Sequence, residues 1–289
     1  ILELINNLCF GYQTIVIAET AYLECAFIRS YCFQNKIKLY CLHPNGTFRK
    51  LSSNDLPSES YIPNNKKQIL GGNSILNYKR IEDIANSYFK KRLRGEASDS
   101  DSRYAFQVNE RKSLKESKKV LFLHCLRDAN NINSKESNIF RTYIEWTDYA
   151  LSQIKYQQDN WWIKIHPMSN FWRDDIRIVK KLLEKHKINY EVCKNCPDTL
   201  EIIQNKMPIF TCNGTVALEA LAFGNYCIAT GDRISESLIK KANSIEIYKK
   251  YLLMPLDQCK AELKASKSLS EFAKVLLMDT KSRCDVEHF

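Results

Sequence analysis

Four short apolar runs in the second half of the chain constrain its fold most. They are KVLFLH at 119–124, WWIKI at 161–165, PIFT at 208–211 and YCIAT at 226–230. An apolar run of about 4–8 residues bounded by turn residues is the pattern of a strand buried on both faces. Between these runs lie segments of helical period: Ile139–Gln157, Asp174–Lys187, Thr199–Gln204 and Val216–Phe223. The segment Asp174–Lys187 is amphipathic, with Ile176, Val179, Leu182 and Leu183 on one face. Gly224 stands where a helix starting at Val216 should end. Asn189–Val192 reads as a further short strand. Strands alternating with helices predict an α/β fold with a parallel sheet covered on both faces.

The first half begins in the same way. Thr14–Ala18 reads as a strand, Ala21–Asn35 as a helix with Thr20 as its N-cap, and Ile37–Leu42 as a second strand before the turn Pro44-Asn45-Gly46. Residues 51–75 read as a loop, Arg80–Arg94 as a helix, GEASDSDSR at 95–103 as a linker, and Tyr104–Lys118 as another helix. At a prior of about 150 residues per domain, 289 residues make two domains. The boundary is expected near 110, giving an N-terminal α/β domain over 1–110 and a C-terminal one over 111–289.

Composition narrows the class of partner. Hydrophobic residues are 44% and charged residues 26%, which excludes a disordered or fibrous chain. No apolar stretch approaches the ~20 residues of a membrane span, and ILELINNLCF lacks the basic start and small-residue cleavage site of a signal peptide. The 11 cysteines are odd in number and scattered, which fits a reduced, cytoplasmic protein better than a disulfide framework. The one CxxC, Cys193-Lys-Asn-Cys196, lacks the second pair of a zinc ribbon and reads as a loop. The net charge of +10 points to an anionic partner. The basic residues are dispersed and form no RRM, HTH or KH pattern, so nucleic acid is not the expected partner.

Open α/β sheets bind ligands beyond the carboxyl ends of their strands. The residues there are Glu19, His43, His124, His166, Asn213-Gly214-Thr215 and Gly231-Asp232, and they include three of the five histidines. In PIFTCNGTVALEALAFGNYCIATGD a strand feeds a glycine turn that opens a helix. The backbone of Asn213 and Gly214 with the Thr215 hydroxyl suits a phosphate, and Glu219, one turn on, suits the hydroxyls of a ribose. A helix cap and a solvated Glu explain the same letters. The absence of GK[ST] disfavours a nucleoside triphosphatase. In WWIKIHPMSN the proline fixes His166 at a strand end, as a phosphate ligand or as a structural cap. In LFLHCLRDANN the residues His124, Arg127 and Asp128 place a base, a cation and a carboxylate in one loop.

Taken together, HCLRDANNI, FRTYIEWTDYAL, WWIKIHPMSN and FTCNGTVALEALAFGNYCIATGD resemble bacterial capsule and surface-polysaccharide glycosyltransferases of the Kdo-transferase-like group. The segment IAETAYLECAFIRSYCFQNKIKLYCLHPNGTFRKL, with Glu19-Thr20-Ala21-Tyr22, is similar to that group's first βαβ unit. The likeness covers roughly residues 12–50 and 80–235. It implies a GT-B architecture, two Rossmann-like domains facing across a cleft, with a short N-terminal domain. It implies that His166, Gly214 and Thr215 face the donor phosphate, that Glu219 lies near the nucleotide sugar, and that the N-terminal domain holds the acceptor. One departure is Asn225, where the pattern has a proline after the helix-ending glycine.

The expected reaction transfers a sugar from a CMP- or UDP-linked donor to a capsule or lipopolysaccharide-type glycan or glycolipid. It needs a base for the acceptor hydroxyl and positive groups for the leaving phosphate. Glu19 is the first expectation for the base, with His124 or Asp128 as alternatives. The letters Asp99-Ser100-Asp101 fall in the linker, so transfer is expected without a metal or other cofactor, with His166 and Arg127 in place of a cation. The basic surface also suits the inner membrane face, a peripheral location. A polyol-phosphate (CDP-glycerol-type) transferase and a non-catalytic partner in a glycan-synthesis complex are the alternatives.

Overall fold

The computed structural model describes residues 11–17, 23–42, 48–51, 75–96, 117–126, 139–170, 174–225, 227–231, 239–262 and 264–281. In the first part, β1 (Thr14–Ile17), α1 (Leu23–Gln34) and β2 (Lys38–Leu42) form the expected strand–helix–strand unit, with β1 and β2 parallel. A third strand, β3 (Phe48–Lys50), lies antiparallel to β2. Ile17, Cys32, Leu39, Cys41 and Leu51 form the small core of this unit.

The second part is an α/β fold on a five-stranded sheet. Its strands are β4 (Lys119–Phe122), β5 (Trp161–Lys164), β6 (Ile209–Thr211), β7 (Cys227–Ala229) and β8 (Lys240–Lys241). All four pairings are parallel, and the order across the sheet is β5-β4-β6-β7-β8. The chain steps from β4 outward to β5, then returns past β4 to β6. The crevice between the ends of β4 and β6 is therefore the topological switch point, where sheets of this order bind ligands.

Both faces are covered, as the uninterrupted apolar strands predict. Val120, Ile209, Cys227 and Ala229 pack on one face with α6 (Thr199–Gln204), α7 (Val216–Ala222), α10 (Lys267–Lys281) and α2 (Ile75–Leu93). Leu121, Phe210 and Ile228, one residue out of phase, pack on the other. Their partners are α3 (Tyr143–Ile154), α4 (Asp175–Lys185) and α8 (Ile245–Leu253). Two short helices, α5 (Glu191–Lys194) and α9 (Leu256–Glu262), and the 3-10 turns Lys155–Asn160 and Pro167–Asn170 complete the described elements.

Three details differ from the sequence reading, each for a local reason. Helix α2 begins at Ile75 and buries Ala85, Tyr88, Phe89 and Arg92 against the core of the second sheet. By packing it joins that sheet, although it precedes residue 110. The strand expected at Asn189–Val192 is a turn leading into α5. The Asn189 side chain accepts the Glu191 N–H at 3.0 Å and draws the backbone into a helical start. Helix α3 starts at Tyr143 rather than Ile139 because Thr142 caps it, accepting the Glu145 N–H at 3.1 Å. The expected linker at 97–103 and the helix Tyr104–Lys118, up to residue 116, lie outside the described residues.

The C-terminus of α7 accounts for the Asn225 departure. Gly224 takes φ +86°, and the Asn225 N–H bonds the Ala220 carbonyl at 3.0 Å while the Gly224 N–H bonds that of Leu221 at 2.9 Å. A proline at 225 would lack the first donor.

Candidate functional site

The carboxyl ends of β4, β5, β6 and β7 gather His124, His166, Asn213, Gly214, Thr215 and Gly231 on one edge of the sheet. Glu19, Arg127, Asp128, His43 and Asp232 lie outside the described residues.

At the switch point, β4 runs into Leu123-His124-Cys125 and β6 into Cys212-Asn213-Gly214. The His124 ring stacks on Tyr143 with centroids 4.2 Å apart and planes 7° from parallel, and meets Trp146 edge-on at 6.1 Å. Its Nε2 accepts the Asn213 backbone N–H at 2.9 Å and lies 3.3 Å from the Thr211 hydroxyl. An amide can only donate, so Nε2 carries a lone pair and the neutral ring has its hydrogen on Nδ1. The histidine expected as an alternative base thus spends Nε2 on joining two strand ends.

Close approach shapes the same turn. The Gly231 N–H donates to the Cys212 carbonyl at 3.0 Å, and a Cβ on Gly231 would lie 1.8 Å from Asn213 Oδ1. A Cβ on Gly214 would lie 2.8 Å from Thr211 Oγ1. Thr215, the first residue before α7, makes no side-chain cap, so its half-buried hydroxyl is not spent on the helix end. Thr230, at the end of β7, buries a hydroxyl that has no hydrogen-bond partner.

Glu219, expected near the nucleotide sugar, is buried in α7 and paired with Arg92 of α2. The Arg92 Nε donates to Glu219 Oε1 at 3.0 Å, and a second guanidinium nitrogen contacts the same oxygen. A buried carboxylate without such a cation is strongly unfavourable. The sequence placed Arg92 on a helix, but nothing in its local pattern assigned this partner, 127 residues away.

At the end of β5, His166 is half-buried ahead of the 3-10 turn Pro167–Asn170. Its Nδ1 accepts the Met168 N–H at 3.2 Å and lies 3.2 Å from Cys125 Sγ. Behind this pair sits Asp175, fully buried at the start of α4. Its Oδ2 accepts the Leu126 N–H and the Ser169 hydroxyl, each at 2.9 Å, while Oδ1 has no partner. Ser169 Oγ is 3.8 Å from Cys125 Sγ. The sequence reading gave Cys125, Ser169 and Asp175 no role at this site. No local pattern signalled them, because Cys125 lies 41 residues before His166.

Cys193 and Cys196 stand at the end of α5, where burial pushes both thiols up to about 12. That opposes thiolate chemistry, and Cys193 lies within α5 rather than in the expected loop. Among the described residues, no group of three or more His, Cys, Asp or Glu side chains could hold a metal ion. Likewise, no described helix is long and apolar enough to cross a membrane.

Fold and site together define an α/β protein with a parallel five-stranded sheet, compatible with a Rossmann-like fold, whose candidate residues stand at the ends of β4 to β7. Comparison of the chain with family models, curated proteins and solved structures found no match.

Proposed function

We propose that the chain is a glycosyltransferase that moves a sugar from a CMP- or UDP-linked donor to a surface-polysaccharide acceptor, with the donor held on the edge of the five-stranded sheet. The observation that carries this reading is the convergence of an anchored imidazole, His166, and the Asn213-Gly214-Thr215 turn on the carboxyl edge of one parallel sheet. A histidine N–H and an uncommitted hydroxyl beside a tight glycine turn are groups that bind phosphate. The sequence resemblance to capsule glycosyltransferases supports the same assignment and supplies the GT-B arrangement as part of the proposal.

In the reaction, the acceptor oxygen bonds the anomeric carbon while the bond from that carbon to the phosphate oxygen breaks. The acceptor proton passes to a base, for which Glu19 is the candidate, and the nucleotide leaves with the negative charge. His166, Thr215 and Arg127 stabilise that charge, so no metal is required. Glu219 is left out of the ligand set because Arg92 holds its carboxylate.

The test is a thermal-shift panel of CMP-sugars, UDP-sugars and CDP-glycerol, followed by transfer from the stabilising donor to a glycan acceptor. Stabilisation by a nucleotide sugar with sugar transfer supports the proposal. Stabilisation by CDP-glycerol alone would make the chain a polyol-phosphate transferase, and no stabilisation at all would remove the donor site.

A further inference from the structure

We infer that Cys125, Ser169 and Asp175 are positioning residues that hold His166 as a neutral imidazole with its hydrogen on Nε2. His166 then meets a ligand as a hydrogen-bond donor, not as a cation or a base. The ligand rests on the reading proposed above; the state of the ring does not.

Two contacts fix the state of Nδ1. The Met168 N–H points at it from 3.2 Å, and an amide nitrogen has no lone pair to offer in return. Nδ1 must therefore be the unprotonated nitrogen. Cys125 Sγ lies at 3.2 Å from the same atom and can place its thiol hydrogen there too. A proton added to Nδ1 would face the Met168 N–H directly and displace the thiol hydrogen. The neutral ring thus carries its hydrogen on Nε2.

Asp175 determines where the thiol and the turn sit. Its Oδ2 takes the N–H of Leu126, the residue after Cys125, and the hydroxyl of Ser169, three residues after His166. One buried oxygen thereby ties the end of β4 to the turn that follows β5. The serine's one hydrogen is given to the carboxylate at 2.9 Å, and its oxygen then rests against the thiol at 3.8 Å. Removing any of the three loosens the separation between Cys125 and His166.

The consequence for the chemistry is specific. With Nε2 already bearing hydrogen, His166 has no site from which to take the acceptor's proton, so the base lies elsewhere. The donor N–H suits a phosphate oxygen. His124, with Nε2 accepting from Asn213, holds the opposite tautomer one strand away.

The full chain labelled with 15N-histidine gives the direct test by long-range 1H–15N spectra, with His166→Gln assigning the signals. The expected signature is a hydrogen-bearing Nε2 and a bare Nδ1 on His166 at neutral pH. A hydrogen on Nδ1, or an imidazolium, would overturn the inference. Asp175→Ala, Ser169→Ala and Cys125→Ala should each shift the ring toward a tautomer mixture. Asp175→Asn and Cys125→Ser, which keep an acceptor and a donor, should restore it. Should Asp175→Ala not fold, Ser169→Ala and Cys125→Ala carry the test. An unchanged ring in both would show that these residues do not position His166. A nucleotide that binds the wild type should bind the alanine variants about tenfold more weakly, as loss of one oriented charge-assisted hydrogen bond does. Tautomer control without any nucleotide binding sustains this inference and ends the donor-site proposal. Nucleotide binding by an Nδ1–H ring does the reverse.

Discussion

His124 and His166 end neighbouring strands of one sheet, and their rings are used in opposite ways. His124 is stacked on Tyr143 and bonded through Nε2 to the Asn213 backbone, so it ties the ends of β4 and β6 together. His166 is gripped from behind, through Nδ1, by Met168 and Cys125. The difference is set by which nitrogen the backbone engages. A strand-end histidine in an open α/β sheet can be part of the framework or part of the ligand set, and the hydrogen bond to its ring decides which. The same contrast separates Glu219, committed to Arg92, from the Thr215 hydroxyl, which caps nothing.

The comparison is broken most forcefully at its framework side. Arg92→Ala or Glu219→Ala leaves one buried charge without its partner, and either should destabilise the fold by ~3–5 kcal/mol in urea denaturation. Replacing both, Arg92→Met with Glu219→Leu, should recover most of that loss. If Glu219→Ala instead left stability unchanged and weakened nucleotide binding, Glu219 would belong to the ligand set after all.

His124→Ala comes next. It removes the stack on Tyr143 and leaves the Asn213 N–H without its acceptor, a loss of about 2–3 kcal/mol. His166→Ala should lower stability by roughly 1 kcal/mol or less, since the half-buried ring gives up weaker contacts. Equal losses in the two variants would erase the distinction. Gly231→Ala should destabilise by about 1–3 kcal/mol, because the added Cβ collides with Asn213 and shifts the turn that His124 holds.

A pH-dependent effect lies on the opposite, amino edge of the sheet. Lys119 is buried there and donates to the carbonyls of Leu252 at 2.6 Å and Met254 at 2.9 Å. Its ammonium also lies 4.5 Å from the centre of the Trp161 ring. Burial lowers its pKa from 10.5 to about 8. Between about 8 and 10.5 the unfolded chain keeps a proton that the folded chain releases, so stability rises with pH across that window. One group releases at most one proton, so the rise stays below ~1.4 kcal/mol per pH unit. Below about 8 both states hold the proton and this group contributes no slope. Lys119→Met should remove the rise, as denaturation midpoints across the window would show.

Local pattern made most of the sheet legible. The runs at 119–124, 161–165, 208–211 and 226–230 each contain a strand, because a parallel strand buried on both faces has no polar alternation to obscure it. Gly224 ends its helix as expected because only a residue tolerant of positive φ fits there. The strand order, the attachment of α2 to the second sheet and the Arg92–Glu219 pair were not legible, since each depends on contacts between distant segments. The site divides likewise. The turn at 213–215 and the strand-end histidines were visible from their neighbours. Cys125, Ser169 and Asp175 gained meaning only when two strand ends were brought side by side.

The central claim is that His166 serves the ligand while His124 serves the fold. Titration calorimetry of the stabilising nucleotide sugar against wild type, His166→Ala and His124→Ala, below the melting temperature of each, tests it most directly. The account predicts that His166→Ala abolishes binding at near-wild-type stability, whereas His124→Ala, though less stable, binds with an affinity within a few-fold of wild type. Binding retained by His166→Ala and lost by His124→Ala would contradict it.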